Sequence, residues 1–241
     1  MRLPLFAVVR TFAALSLAVV LVGCAAQIQF QTPAQREEQA RTLRENATRL
    51  RLLVLESTQA DVQSLMGVAP LRDIFRSGSD SESVEVWHYP HEQGWAILRF
   101  NGGKLVESKS QRALFVYVRD ETLPLTQEDL KIRAALSIVQ LGWTKAQVEG
   151  LTVEPSTRWG ESATADEVGK RRSVHAASQY SPLMSGIDAR YLYRDLRGEM
   201  WEFKAARTVV TLLLRDGRVE WIHFLELPTD AQQNELMQKA F

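Results

Sequence analysis

Residues 58–65, Thr-Gln-Ala-Asp-Val-Gln-Ser-Leu, and residues 144–151, Thr-Lys-Ala-Gln-Val-Glu-Gly-Leu, carry one pattern twice, 86 positions apart. Each run opens on a threonine whose hydroxyl is placed to accept from a backbone amide in the first turn. Val62, Leu65 and Met66 in the first run, and Val148 and Leu151 in the second, then fall on one helical face. Both runs predict a short amphipathic helix, and Gly67 and Pro70 stop the first.

The surroundings repeat as well. Ahead of the first run, Thr32 caps a longer helix, Pro33 suits its first position and Gln35 completes a capping box. Ala40, Leu43, Ala47, Leu50 and Val54 supply its apolar stripe. Ahead of the second run, Leu125 and Thr126 open a helix in which Leu125 can staple to Leu130. Ile132, Leu136 and Val139 give its buried stripe, and Gly142 ends it.

Downstream of each short helix the apolar period changes to two, which predicts strands. In the first half these are 84–89, 95–100 and 104–107, with a hairpin at Asn101-Gly102-Gly103, followed by a run at 113–119. Residues 76–83 are expected as an exposed loop. In the second half the strands fall at 191–194, 200–203, 208–215 and 218–227, with a tight turn at Asp216-Gly217. Trp87, Leu98, Phe100, Gly103, Lys104 and Leu105 match Trp201, Leu212, Leu214, Gly217, Arg218 and Val219 at a constant offset of 114. The change of offset marks an insertion at about 156–188, polar and glycine-containing, which is expected as a mobile loop. The expected fold class is therefore α+β, in two tandem units of two helices followed by an antiparallel β-meander. The units span 32–122 and 123–227, and a short helical tail occupies 228–241.

The N-terminus speaks to location. Arg2 and Arg10 bracket a charged start, and Thr11 to Val22 contains no ionised side chain. This is the layout of a signal peptide, too short to cross about 30 Å of hydrocarbon comfortably. Leu21-Val22-Gly23-Cys24 resembles the bacterial lipobox, which implies removal of residues 1–23, lipid on the Cys24 thiol and a tether over 24–31. Several acyl chains, at about 0.8 kcal/mol per buried CH₂, anchor a protein stably where one does not. Cys24 is the only cysteine, so no disulfide can form within the chain. Ala25 and Ala26 lack the aspartate that, by resemblance to enterobacterial lipoproteins, favours the inner membrane. The expected location is the periplasmic face of the outer membrane. Cleavage removes two arginines and no acid, leaving 27 basic against 29 acidic side chains. Nothing in that balance suggests nucleic acid as a partner.

Thr58, Val62, Leu65, Gly67, Pro70, the Trp87-x-Tyr89 strand and Phe100, Gly103 and Lys104 together resemble the SmpA/OmlA/BamE family of small outer-membrane lipoproteins. Gly142, Thr144, Val148, Leu151, Trp201, Phe203, Gly217 and Arg218 carry the same resemblance in the second half. It covers roughly residues 50–108 and 136–226 and extends to the β-lactamase inhibitor protein fold, which also carries two such units in tandem. Glu56 departs from the pattern, standing where the family often has glycine, and the second half lacks a clean Gly-x-Pro. The resemblance implies an envelope protein that binds other proteins, at the machinery that assembles outer-membrane β-barrels.

Chemistry-bearing patterns are sparse. His88 and His91 lie at a strand end beside Pro90 and are expected to face solvent as a strand pair, not to hold a metal. His175 in the insertion and His223 in an apolar strand have no neighbouring ligands to complete a zinc set. There is no Gly-x-Ser-x-Gly, His-Glu-x-x-His or phosphate-binding Gly-x-x-x-x-Gly-Lys. The acid pairs Glu37-Glu38 and Asp166-Glu167 suit solvated surfaces. No cofactor, metal or catalytic residue is therefore expected. Trp87, Trp201 and Trp221 are expected in the core. Trp159, Tyr180, Lys170, Arg171 and Arg172 form the candidate partner surface, because aromatic side chains anchor interfaces and a basic run can lean on anionic headgroups.

The leading expectation is a non-enzymatic, lipid-anchored binding or scaffold protein, with the membrane and another envelope protein as partners. A periplasmic inhibitor of a hydrolase is the alternative, and an unrecognised hydrolase the third reading.

Overall fold

The computed structural model describes residues 31–76, 83–112, 118, 124–164, 197–227, 229 and 231, with no side-chain detail for 161–164. The helices are α1 (Pro33–Leu50), α2 (Gln59–Met66), α3 (Gln127–Leu136) and α4 (Lys145–Glu149). The first four strands are β1 (Leu71–Arg76), β2 (Ser83–His91), β3 (Gly94–Asn101) and β4 (Lys104–Arg112). The last four are β5 (Thr157–Thr164), β6 (Arg197–Lys204), β7 (Thr208–Arg215) and β8 (Arg218–Glu226). The signal peptide, Cys24, the tether up to residue 30 and the strand expected at 191–194 lie outside the described residues. So do the run at 113–119 apart from Val118, and the tail beyond residue 231.

All four helices begin alike. Thr32, Thr58, Thr126 and Thr144 each accept from the amide of the third helical residue, whose side chain returns a bond to the threonine amide. These reciprocal caps satisfy backbone donors that a helix start otherwise leaves open.

The two-unit fold class is overturned: all eight strands belong to one antiparallel sheet, in the order β4-β3-β2-β1-β8-β7-β6-β5. The cause is β1, in a stretch where the sequence gives no clear strand signal because Arg72, Asp73 and Arg76 interrupt the apolar alternation. β1 pairs with β2 on one side, from Leu71 opposite His88 to Arg76 opposite Ser83. On its other side it pairs with β8, from Leu71 opposite Leu225 to Phe75 opposite Trp221. Two meanders thus share ladder hydrogen bonds along a common seam instead of closing separate sheets. The expected insertion is corrected in part too, since Thr157–Thr164 forms the edge strand β5, paired with β6.

Cross-strand pairing sorts the side chains onto two faces, because residues directly opposite one another share a face. One row runs Leu98, Trp87, Arg72, Phe224, Val210, Phe203. The helices cover parts of this face. Val62 and Met66 of α2 pack with Trp87, Tyr89, Leu98 and Phe100, while Ile132 and Leu136 of α3 pack with Trp201, Phe203, Val210 and Leu212. α1 is held by Asn46, its one buried residue, whose Nδ2 donates to the Pro90 carbonyl at 2.9 Å. Ala40 of its expected apolar stripe is exposed, and so is Leu130 of the expected staple in α3.

The repeated residues do make matching contacts. Glu56 and Gly142 both have positive φ, 73° and 88°, and donate to the carbonyls of Leu105 and Val219 respectively. Trp87 donates its indole N–H to Glu85, as Trp201 does to Glu199. At φ near +70° a side chain costs about 1 kcal/mol or more relative to glycine, and the exposed Glu56–Lys104 pair at 3.3 Å offsets little of that. Glu56→Gly is therefore expected to raise the thermal midpoint by about 2–4 °C, the shift that about 1 kcal/mol produces in a chain of this size. Gly142→Ala should lower it, because its Cβ would also come within 2.9 Å of the Arg76 guanidinium. Differential scanning calorimetry of both variants checks the opposite signs.

Candidate functional site

Three groupings of polar side chains come out of this architecture. The first lies on the sheet face turned away from the helices, where a row runs Glu202, Thr211, His223, Asp73, Val86, Arg99, Glu107 across seven strands. Asp73 sits at its centre on β1, fully buried. His223 Nδ1 donates to Asp73 Oδ1 at 2.7 Å and Trp221 Nε1 donates to the same oxygen at 3.1 Å. His88 Nε2 stands 3.6 Å from Asp73 Oδ2. The ring of Trp221 stacks on that of His223, with centroids 5.4 Å apart.

An aspartate bonded to one imidazole nitrogen leaves the other free to move a proton, and His223 Nε2 has no hydrogen-bond partner among the described residues. Asp73, His88 and His223 are nevertheless all 0% exposed, so no substrate atom reaches that nitrogen. The cluster joins β1 and β2 of the first meander to β8 of the second. Burial raises the carboxyl of Asp73, but the charge and hydrogen bond of His223, together with His88, hold it well below the usual carboxylate range.

The second grouping is a hollow of about 320 Å³ between the end of α1 and the β2–β4 edge, lined by Leu50, Arg51, His91, Ala96, Lys109 and Ser110 among others. His91 Nε2 lies 3.1 Å from Ser110 Oγ, and its Nδ1 accepts from the Gln93 amide at 3.3 Å. Burial holds His91 below its usual range against the opposing effects of the Trp95 backbone and Glu92. A neutral ring with Nδ1 accepting carries its proton on Nε2. It therefore donates to Ser110 and cannot deprotonate it.

The third grouping is a cleft on the helix side. α1 packs on β2 and α3 on β6 and β7, and Arg133 of α3 reaches over β8, with Ile74 of β1 and Phe224 of β8 left half-buried between the helix pairs. The floor between the helix pairs is Ile74 and Phe224, packed at the edge of the cluster that holds the buried Ile222. Arg72 and Arg133 both lie over the Phe224 ring, their guanidinium carbons 5.2 and 5.4 Å from its centroid. Arg133 and Arg207 pair with the buried Glu226 at 3.1 and 2.9 Å. Asp129 Oδ1 accepts from the Arg207 amide at 2.9 Å, which fixes the start of α3 against the β6–β7 turn.

The expected site residues are scattered. Trp159 lies in β5, half-buried against the apolar cluster of Leu213, Met200 and Trp221. Lys170, Arg171, Arg172, Tyr180 and His175 lie outside the described residues, as does Cys24. His88 and His91 do not face solvent as expected. Both are buried and, three positions apart on one strand, they point to opposite faces. Among the described residues no three His, Cys, Asp or Glu side chains converge as a metal site. Trp87, Trp201 and Trp221 are buried. Sequence reasoning passed over Asp73 and Arg72. The signal available was three charges in an otherwise strand-like hexapeptide, which marks a strand with demands on both faces.

The chain matches no family model, no curated protein and no solved structure.

Asp73→Asn should destabilise the fold by about 1–3 kcal/mol at pH 7, the usual cost of weakening charge-assisted hydrogen bonds to a buried acceptor. Because the folded carboxyl titrates below its unfolded value of about 3.9, its stabilisation is complete above that pH and is lost as pH falls through the folded value. Urea unfolding of wild type and variant should therefore differ fully at pH 7 and progressively less below about pH 4.

Proposed function

We propose that this chain is a lipid-anchored, non-enzymatic envelope protein that binds another protein through the cleft between its two helix pairs. The observation that carries the reading is the floor of that cleft. Ile74 and Phe224 are only half-buried, and Phe224 lies under two arginines, on a sheet face that is otherwise packed under helices. An apolar floor with polar walls is the usual anatomy of a binding surface, and aromatic and arginine side chains are its usual anchors.

The lipobox-like Leu21-Val22-Gly23-Cys24 supports attachment to a membrane, and α1 supports a stand-off from it. Residues 33–38 of that helix are exposed, and its 18 residues extend about 27 Å. The two groupings with acid–base residues favour no reaction: one is sealed from substrate and the other holds its proton on the wrong nitrogen. The inhibitor alternative drew on two sheets side by side, and that argument falls away with a single sheet.

Two measurements test this. Mass spectrometry of the native product should find a diacylglyceryl-modified Cys24 at the N-terminus, and Cys24→Ala should move the protein from the membrane to the soluble fraction. In intact envelopes, a photo-crosslinking residue at Arg76, at the mouth of the cleft, should yield a discrete protein adduct that the same residue at Arg112, on the far sheet edge, does not. An intact leader, or equal adducts from both positions, overturns the proposal.

A further inference from the structure

We infer that the cleft over β1 and β8 takes an acidic, extended segment of its protein partner, read by Arg72 and Arg76. The inference rests on the binding reading above and names the chemistry of the partner.

Alternation along β1 places Arg72, Ile74 and Arg76 together on the helix side. Four residues of strand separate the two arginines by about 13 Å. Arg72 is half-buried, its Nε shielded from solvent without a hydrogen-bond partner, and its guanidinium lies on Phe224. Arg76 is exposed and reaches toward Gly142 at the start of α4, so it stands across the mouth of the cleft. Neither arginine forms an ion pair with a carboxylate among the described residues.

The acids that face them from neighbouring elements are already engaged. Glu85 on β2, opposite Ile74, accepts from Gln59 of α2 and from Trp87. Glu226 on β8 is taken by Arg133 and Arg207, and Asp129 of α3 by Thr126 and the Arg207 amide. Arg72 and Arg76 are thus left as cations beside an apolar floor, the first partly shielded from water and the second exposed. A guanidinium there gains most from a carboxylate it can grip with two parallel N–H bonds. The apolar floor between them asks for apolar side chains between two acids. Two arginines whose backbone positions stand about 13 Å apart along a strand match an extended segment with acids four positions apart.

The test uses the chain from Gln27 onward attached through an N-terminal linker to a surface, and fluorescent nonapeptides as probes. One peptide carries two glutamates four apart around apolar residues, a second carries the same glutamates adjacent, and a third has lysine in place of both. The spaced acidic peptide should bind, with affinity falling as salt rises, and the adjacent-acid peptide should bind several-fold more weakly. The lysine peptide should not bind. Arg76→Gln should weaken binding about tenfold. Arg72→Gln should do the same, with a circular dichroism spectrum and thermal midpoint recorded for each variant. Arg76 is exposed, so its variant keeps the test valid even if the Arg72 variant fails to fold.

Equal binding of acidic and lysine peptides, no binding of any, or indifference to Arg76→Gln overturns the inference. So does Arg76-dependent binding to vesicles containing anionic phospholipid with none to peptide, which would assign the cations to a lipid surface. If the peptides fail while crosslinking from Arg76 still returns a discrete protein, only the acidic chemistry is lost. If both fail, the binding reading falls with it.

Discussion

Everything in this architecture depends on β1 pairing on both sides. A strand of six residues is the only described connection in the sheet between the first meander and the second, and Asp73 at its middle is the polar contact across that seam. Moving a carboxylate out of water costs several kcal/mol even after relaxation. Charge-assisted hydrogen bonds return about 1.5–3 kcal/mol each, so the two from Trp221 and His223 bring the balance near even. What the cluster adds is register. A slip of one residue between β1 and β8 would turn Asp73 to the opposite face and strand it among the side chains beneath the helices. An apolar pair at the same place would tolerate such a slip far better.

The same pairing explains why the two sheet faces differ in what they offer. Each meander carries its helix pair above its own hairpins, since the short helices are fixed there by backbone bonds such as Gln59 to the Gly103 carbonyl and Lys145 to the Gly217 carbonyl. Joining the meanders edge to edge brings the helix pairs side by side without bringing them over the seam. Among the described residues, that leaves a cleft above β1 and β8. Its charge follows from the sequence of β1, in which the residues flanking Asp73 on the other face are Arg72 and Ile74.

The repeated local contacts and the single sheet are compatible because they belong to different levels. Matching caps, positive-φ positions and indole–glutamate bonds are set by neighbours within one half of the chain, and each half satisfies them alone. The seam is set by strands about 150 residues apart, and nothing local foretells it. The departure at Glu56 belongs to the first level: the backbone there adopts the left-handed conformation that Gly142 adopts in the second half, despite the side chain.

The sequence by itself determined the helix starts, the hairpin turns, the buried Trp87, Trp201 and Trp221, and the correspondence of Thr58 with Thr144 and Trp87 with Trp201. These are legible because hydrogen bonding at a cap, φ at a turn and apolar period all act over a few residues. Tertiary structure alone decided that β1 is a strand, that Thr157–Thr164 is an edge strand where a loop is expected, and that one sheet forms in place of two. It also decided that His88 and His223 meet at Asp73, and that Arg72 lies on Phe224. Each of these depends on a partner far along the chain, and a charged residue in a short strand reads as exposed until its distant hydrogen-bond donors are in place.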